Sequence, residues 1–332
     1  MKVELAILNY NGRHHLEHLL PTAIREAESY GPDCRVVVID NLSPDDDAGW
    51  VREYYPSVQV WTAPRNEYLF SYNEYAKQST ADILVLLNND LKLCENFLPP
   101  LLRHFSSSDV FSVGATSLDW EGREFTCGPA VLKYENGFYS WNYQTDRQEI
   151  CHTFFTSGGF MAVNRLKFLQ IGGFDILYYP AYVEDVDLCF RAWRNGWRCI
   201  FEPASQVHHR EGGSWKTVKD SSLDAKLLRN SLLFQWLNLP ASAYRIRRWW
   251  SAFKISIGEI LRLRFNWPCT YFHAWRECLH LKFKYPPTLD KFQLQELLRR
   301  CLDPVSKQKN EISFPNLFQF SYRDHDRGSI RV

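Results

Sequence analysis

The sequence predicts an α/β fold over its 332 residues: a mostly parallel central sheet flanked by helices, with a helical extension toward the C-terminal end. Three observations carry this. Short apolar, β-branched runs alternate with helically periodic segments as far as Phe105. Three runs end in polar residues (Asn9, Asp40 and Asn88-Asn89-Asp90), and in such sheets ligands gather at the carboxyl ends of strands. Charge is split along the chain. From Trp215 to Val332 there are 21 Lys and Arg against 10 Asp and Glu, and the rest carries 18 against 28, although the net is only +1.

The elements follow in order. Val3–Leu8 is an apolar run closed by the turn Asn9-Tyr10-Asn11-Gly12. His14–Tyr30 places Leu and Ala at helical spacing. Arg35–Ile39 is β-branched and ends at Asp40-Asn41, Asp45–Tyr55 reads as a short helix, and Val58–Trp61 reads as a third strand. Asn73–Ser79 is helical, Ile83–Leu87 is a buried strand, and Phe97–Phe105 is helical again. From Phe111 to Ile150 the pattern loosens into irregular strands or an excursion. Phe160–Val163 is apolar, Leu166–Ile171 is a helix stopped by Gly172-Gly173, Asp185–Asn195 is a helix stopped by Gly196, and Arg198–Phe201 is a strand. Helices dominate from Trp215 to about Cys301, and the last thirty residues are polar. Residues 1–105 and 106–214 thus form two halves of one unit, and 215–332 a basic, Trp-rich helical region.

The hydrophobic fraction of 45% and charged fraction of 23% are those of a globular protein, with aromatics high at 15%. Nine cysteines are scattered without a CxxC pair, so reduced thiols are expected rather than a zinc site or disulfide framework. The N-terminus runs straight into a strand, without a signal peptide. No stretch approaches the roughly 18–20 apolar residues that span a bilayer. A cytoplasmic location is expected, with the basic tail resting peripherally on the inner face of a membrane.

Asp40 at a strand end can accept a hydrogen bond from a base imide or ribose hydroxyl, or simply close a turn. Asn88-Asn89-Asp90 suits a hard divalent cation if a diphosphate supplies further oxygens; an Asx turn is the plainer reading. Glu184-Asp185-Val186-Asp187 opens a helix, where carboxylates are favoured by free N–H groups and the dipole. Clustering can raise a carboxylate pKa toward that of a useful base, and Asp185 is the favoured one. Asp187 and Arg191 are four residues apart and suit a structural pair. His208 and His209 follow a strand and could bind the metal opposite Asp90, with Gly212-Gly213 covering a diphosphate through backbone N–H groups, or form a plain surface pair.

The motifs ILNYNG, VVVIDNLSPDD, Asn66 through Asn73, ILVLLNND, TSGGFMAVNRLKFLQIGGFD, VEDVDLCFRAWRNGW and VHHREGGS together resemble those of inverting family 2 glycosyltransferases with the GT-A fold. The rhamnosyltransferase-like branch of bacterial surface-polysaccharide synthesis is the most similar, and the likeness runs from Lys2 to Ser214. The resemblance implies that Asn9, Asn11, Asp40, Asn66, Asn73, Asn88 and Asn89 border the nucleotide of a nucleoside-diphosphate sugar. It implies that Asp90, with His208 placed ahead of His209, ligates Mg2+ or Mn2+, and that Asp185 is the catalytic base. Gly158, Gly159 and Glu184 border the acceptor, a glycan or lipid-linked hydroxyl. Two departures stand out. The metal motif has one carboxylate instead of two, and the usually Gly-rich stretch after Asn66 reads Glu67-Tyr68-Leu69-Phe70-Ser71-Tyr72.

In the tail, Phe253, Ile257, Ile260 and Leu261 share a helical face near Arg262 and Arg264. This suits a membrane interface, or else a lid or homodimer contact. No nucleic-acid recognition motif accompanies the charge. The rival readings are a sugar-1-phosphate nucleotidyltransferase, whose Gly-rich Arg/Lys loop Asn9–Gly12 lacks, and a catalytically silent glycan- or membrane-binding scaffold.

Overall fold

The computed structural model describes residues 1–135, 138–210, 221–239, 245–262, 265–281 and 291–302. The strands are β1 (Val3–Asn9), β2 (Cys34–Asp40), β3 (Gln59–Thr62), β4 (Ile83–Asn88), β5 (Leu91–Leu93), β6 (Val110–Leu118), β7 (Ala130–Glu135), β8 (Phe138–Tyr143), β9 (Cys151–His152), β10 (Phe160–Asn164) and β11 (Arg198–His209). The helices are α1 (Arg13–Tyr30), α2 (Asp47–Tyr54), α3 (Ser71–Gln78), α4 (Leu98–Leu102), α5 (Arg165–Gln170), α6 (Glu184–Arg194), α7 (Ser221–Asn238), α8 (Arg245–Leu261), α9 (Asn266–Leu281) and α10 (Lys291–Leu302).

Among the described residues nine strands form one sheet, ordered β3-β2-β1-β4-β10-β6-β11-β5, with β9 paired to β11. The β3-β2-β1-β4 half is parallel, as the alternation of strands and helices requires. β10 runs antiparallel to both β4 and β6, so the sheet is mixed. Period-two alternation divides the core. Leu5, Ile7, Val36, Val38, Val85 and Leu87 face α1 and α4 residues such as Leu16, Leu20 and Leu101. Ala6, Val37, Ile39, Leu84 and Leu86 face the layer holding Tyr72, Phe168, Phe174 and Phe190.

Three segments differ from the sequence expectation. The loose stretch after Phe111 contains β6, a nine-residue, almost wholly buried strand. Its polar residues are satisfied inside: Thr116 donates to the Cys127 carbonyl at 2.8 Å and Ser112 accepts from Thr156 at 2.9 Å. β11 continues past Phe201 to His209, with a register shift between Glu202 and Gln206. Pro203 lies in that bulge, where its missing N–H breaks no ladder bond. The expected Phe97–Phe105 helix is one turn of α-helix followed by a 3-10 turn.

α7 packs directly on the α/β layers. Phe234 meets Phe190 and Trp141 edge to face. The fully buried Asn230 amide donates to the carbonyls of Tyr178, Ala181 and Tyr182 at 2.8, 3.0 and 3.1 Å. α7, α8 and α9 share a small core of Leu233, Trp236, Ala252, Tyr271 and Ala274. The outer face of α8 is uncovered: Trp250, Phe253, Ile257 and Leu261 are exposed, Leu261 at 79%. Arg248 is buried, so it points away from that face. Arg264, Gly212, Gly213 and the last thirty residues lie outside the described residues.

Candidate active site

The carboxyl ends of β1, β2 and β4 lie side by side, and the first loop is tied to them by side chains. Asn9 donates to Asp47 at 2.9 Å and accepts from Asn89 at 2.8 Å. Asp47 also accepts from the Gly12 N–H at 2.9 Å. A Cβ on Gly12 would stand 1.9 Å from the Asn89 amide nitrogen, so only glycine lets α1 start this close to the strand ends. The buried amides of Asn9 and Asn89 therefore shape the loop from within. Asn11, in the left-handed region at φ 51°, is exposed and its N–H donates to Ser43 Oγ at 2.9 Å. A separate open depression of about 380 Å³ beside this loop is lined by Asn11, Arg13, His14, Glu17, Asp45 and Asp47 and contains neither Asp90 nor Asp185.

Asp40 is buried and accepts only long bonds from the Ser43 N–H, at 3.4 and 3.3 Å. Its neighbour Asn41 donates to the Tyr68 carbonyl at 3.0 Å, and Asn66 accepts from the Tyr68 N–H at 3.0 Å. These two bonds hold Tyr68 at φ 53°. Asn73 clasps Phe174 with two 2.8 Å bonds, one in each direction. Its amide joins α3 to the turn before α6.

Asp90 is buried, and its Oδ1 has no hydrogen-bond partner. His209 Nε2 lies 3.6 Å from that oxygen. Antiparallel pairing of β11 with β5 sets His209 opposite Leu91, one residue from Asp90. Alternation sends His208 the other way, where Nδ1 is 3.3 Å from the Asp119 carbonyl and the ring covers Gly122. The structure thus brings His209, and not His208, to Asp90. An orphaned buried carboxylate oxygen facing an imidazole nitrogen is a donor set that fits Mg2+ or Mn2+, with diphosphate and water completing the shell. No cluster of three or more His, Cys, Asp or Glu suited to a metal occurs among the described residues. Below the pair, burial above all pushes the His15 pKa down to about 4, leaving that ring neutral.

Neither Glu184 nor Asp185 is the cap of α6; Val183, at φ 78°, holds that place without a side-chain cap. Asp185 is partly buried and accepts from the Gly158 N–H at 3.2 Å and from the Val186 N–H at 2.8 Å. Burial still holds its pKa above the ordinary carboxylate value. Buried Glu184, with Oε2 unpartnered, is pushed up to about 8 by burial and then by Asp185. Asp187 is tied to Arg191 at 2.7 Å and to the Tyr178 hydroxyl at 3.3 Å, the pair its spacing predicted. The Gly159 carbonyl accepts from the Asn88 N–H at 2.8 Å, and a Cβ on Gly159 would stand 2.7 Å from the Asn88 amide nitrogen. Residues 158 and 159 therefore bridge the strand end to the helix start.

Sequence reasoning missed a second group around Asp90. Arg210 donates its N–H to the Asp90 carbonyl at 3.0 Å, and its guanidinium lies 4.4 Å over the Trp120 ring. Trp120 meets His18 edge to face. Arg210 stands in the quoted VHHREGGS motif, but nothing in the sequence linked it to Trp120, ninety residues earlier. Arg229-Asn230 sits where relatives carry a basic helix start, but among the many polar residues of α7 nothing marked the Asn230 amide as the one that binds three carbonyls.

A mixed α/β sheet with a cation-suited strand end beside a base-suited helix start matches the GT-A fold. A family model described as "Glycosyl transferase family 2" matches residues 5–172, and the chain belongs to that family. It is 29% identical over 153 residues to a probable N-acetylgalactosaminyltransferase 7 of Caenorhabditis elegans, covering 40% of this chain and 25% of that protein. It is 41% identical over 58 residues to an N-acetylglucosaminyl-diphospho-decaprenol L-rhamnosyltransferase of Mycobacterium tuberculosis, covering 18% and 19%. The chain spans a quarter of the C. elegans relative's length. Among solved structures, GalNAc-T7 with UDP, GalNAc and Mn2+ has a TM-score of 0.56 at 16% identity, covering 86% of this chain and 58% of the other. A Pyrobaculum calidifontis mannosyltransferase with GDP-mannose and Mn2+ has 0.52 at 14%, covering 85% and 87%. These likenesses support the GT-A fold.

Proposed function

We propose that this protein transfers a hexosyl or deoxyhexosyl group from a nucleoside-diphosphate sugar to a hydroxyl of a glycan or lipid-linked acceptor, with inversion, in bacterial surface-polysaccharide synthesis. The observation that carries the proposal is the bridge of Gly158 and Gly159 between the Asp185 carboxylate and the Asn88 strand end beside Asp90. Asp185 takes the acceptor proton as the hydroxyl attacks the anomeric carbon; the Gly158 and Val186 N–H groups aim its carboxylate, and burial makes it a better base near neutrality. Asp90 and His209 would hold the metal, which supplies Lewis-acid stabilisation of the departing diphosphate. Asp40 and Asn88 would read base and ribose. Rhamnose is the favoured sugar, on the strength of the short mycobacterial match.

The experiment is a donor screen by thermal shift with Mn2+, followed by transfer assays with Asp185→Asn. A stabilising donor should shift the melting point by mass action, and the variant should bind it without transferring. Transfer that persists in Asp185→Asn removes the assigned base. Pyrophosphate release from a nucleoside triphosphate and a sugar phosphate would mark a nucleotidyltransferase instead.

The uncovered face of α8 would lie on an anionic membrane. Its exposed Trp250, Phe253 and Ile257 are flanked by Lys254 and Arg262, and the tail is basic overall. No helix among the described residues is long and apolar enough to cross a membrane. Sedimentation with phosphatidylglycerol vesicles, lost in Trp250→Ser/Phe253→Ser, tests this placement; concentration-dependent dimers lost in the same variant would point to a second copy.

A further inference from the structure

We propose that Arg210 is a diphosphate-binding residue: its guanidinium, laid over Trp120 at the end of β11, contacts the nucleoside diphosphate next to Asp90 and His209. The inference rests on the reading above that this diphosphate lies at Asp90.

Three observations support it. The backbone fixes Arg210 to the same turn as Asp90 through the 3.0 Å bond to the Asp90 carbonyl. The side chain is partly buried and held in place, its guanidinium carbon 4.4 Å from the centre of the Trp120 ring, which is itself braced by His18 at 5.4 Å. No carboxylate among the described residues pairs with it, whereas Arg191 and Arg229, equally half-buried, are each tied to one. A partly desolvated cation with no counter-anion among the described residues is unfavourable, and a diphosphate would offset that.

The chemistry favours an anion over a sugar ring. A guanidinium presents a fork of N–H donors that matches phosphate oxygens. As the bond from the anomeric carbon to the diphosphate oxygen breaks, the electron pair stays on the diphosphate, which gains a unit of negative charge. The protein's own ligands at this end supply one carboxylate and one imidazole, which leaves the guanidinium as the fixed positive charge available to offset it. Trp120 leaves the guanidinium edge free to donate while its face is stacked.

The test measures Mn2+-dependent binding of UDP, GDP and dTDP against UMP, GMP and dTMP, by calorimetry, on the wild type, Arg210→Gln, Arg210→Lys, Trp120→Leu and Asp90→Ala. Arg210→Gln is expected to lose about 10- to 100-fold in diphosphate affinity, the worth of a charged hydrogen bond, with monophosphate affinity within about twofold. Arg210→Lys should recover part of the loss and Trp120→Leu should fall between. An unchanged diphosphate-to-monophosphate ratio in Arg210→Gln overturns the proposal; should that variant not fold, an unchanged ratio in Arg210→Lys and Trp120→Leu does the same. Binding that survives in Arg210→Gln but vanishes in Asp90→Ala removes the role of Arg210 and spares the metal site. No diphosphate binding by the wild type overturns both. Farnesyl diphosphate serves as the lipid control, and a loss confined to it also overturns the assignment to the donor.

Discussion

The strand-end cluster Asn88-Asn89-Asp90 and the helix-start cluster Glu184 to Asp187 look alike as strings of polar residues, yet the fold divides each in the same way. One member is tied into the scaffold: Asn89 to Asn9, Asp187 to Arg191 and Tyr178. One is set against the bridge of residues 158 and 159: Asn88 against Gly159, Asp185 against Gly158. One keeps a buried oxygen without a partner: Asp90 at the first, Glu184 at the second. They differ in what lies nearby. Asp90 faces His209 and accepts the Arg210 backbone N–H on its carbonyl, which suits a cation. Glu184 lies beside a second carboxylate, Asp185, which suits a shared proton. A run of polar residues is thus a set of separate jobs, and position decides which one performs chemistry.

The comparison can be broken at several points. The largest expected effect is on Asp185→Asn, which should lower transfer about a thousandfold while donor binding is retained. The acid limb of the wild-type pH–rate profile should lie above the ordinary carboxylate range, because the Asp185 pKa is raised. Asp187→Ala should instead cost about 3 kcal/mol of stability by removing the carboxylate paired with Arg191, read by urea unfolding; an Asp187→Asn variant that folds normally yet is inactive would reverse the two roles. His209→Ala should raise the Mn2+ requirement about 10- to 100-fold, while His208→Ala leaves it within about twofold; the opposite ranking would refute the alternation of β11.

The smallest effect concerns Glu184. Its folded pKa of about 8 exceeds the ordinary 4.5, so the stability its protonated form contributes is complete below pH 4.5 and is lost as pH rises toward 8. Glu184→Gln carries no such loss. Its melting temperature should gain about 2–4 °C on the wild type between pH 5 and 8, and a constant gap across that window would show that Glu184 ionises normally.

The parallel half of the fold was legible because ILVLL and VVVID are continuous apolar runs, and the helix after Gly12 because its leucines repeat at helical spacing. β6 was not, since VFSVGATSL hides a buried strand among residues whose hydroxyls find partners far along the chain. The choice between His208 and His209 was closed to the sequence for a different reason. Alternation distinguishes them only once the strand is known to reach His209, and Pro203 reads as its end. Asn73 and Asn9 stood at expected places, but their amides serve Phe174 and Asp47, bonds that no spacing announces.

The fastening of α7 sets how far the chain can be trimmed. The family match stops at residue 172 and the motifs stop near 214, but the carbonyls of Tyr178, Ala181 and Tyr182, just before α6, are satisfied by Asn230, and Phe190 is roofed by Phe234. A shortened enzyme ending at Ser214 should be insoluble or idle, whereas one that keeps α7 through Leu239 should regain donor binding. The smallest stable unit would therefore reach into the basic tail, whose first helix is bound to the α/β layers before it meets any surface outside the molecule.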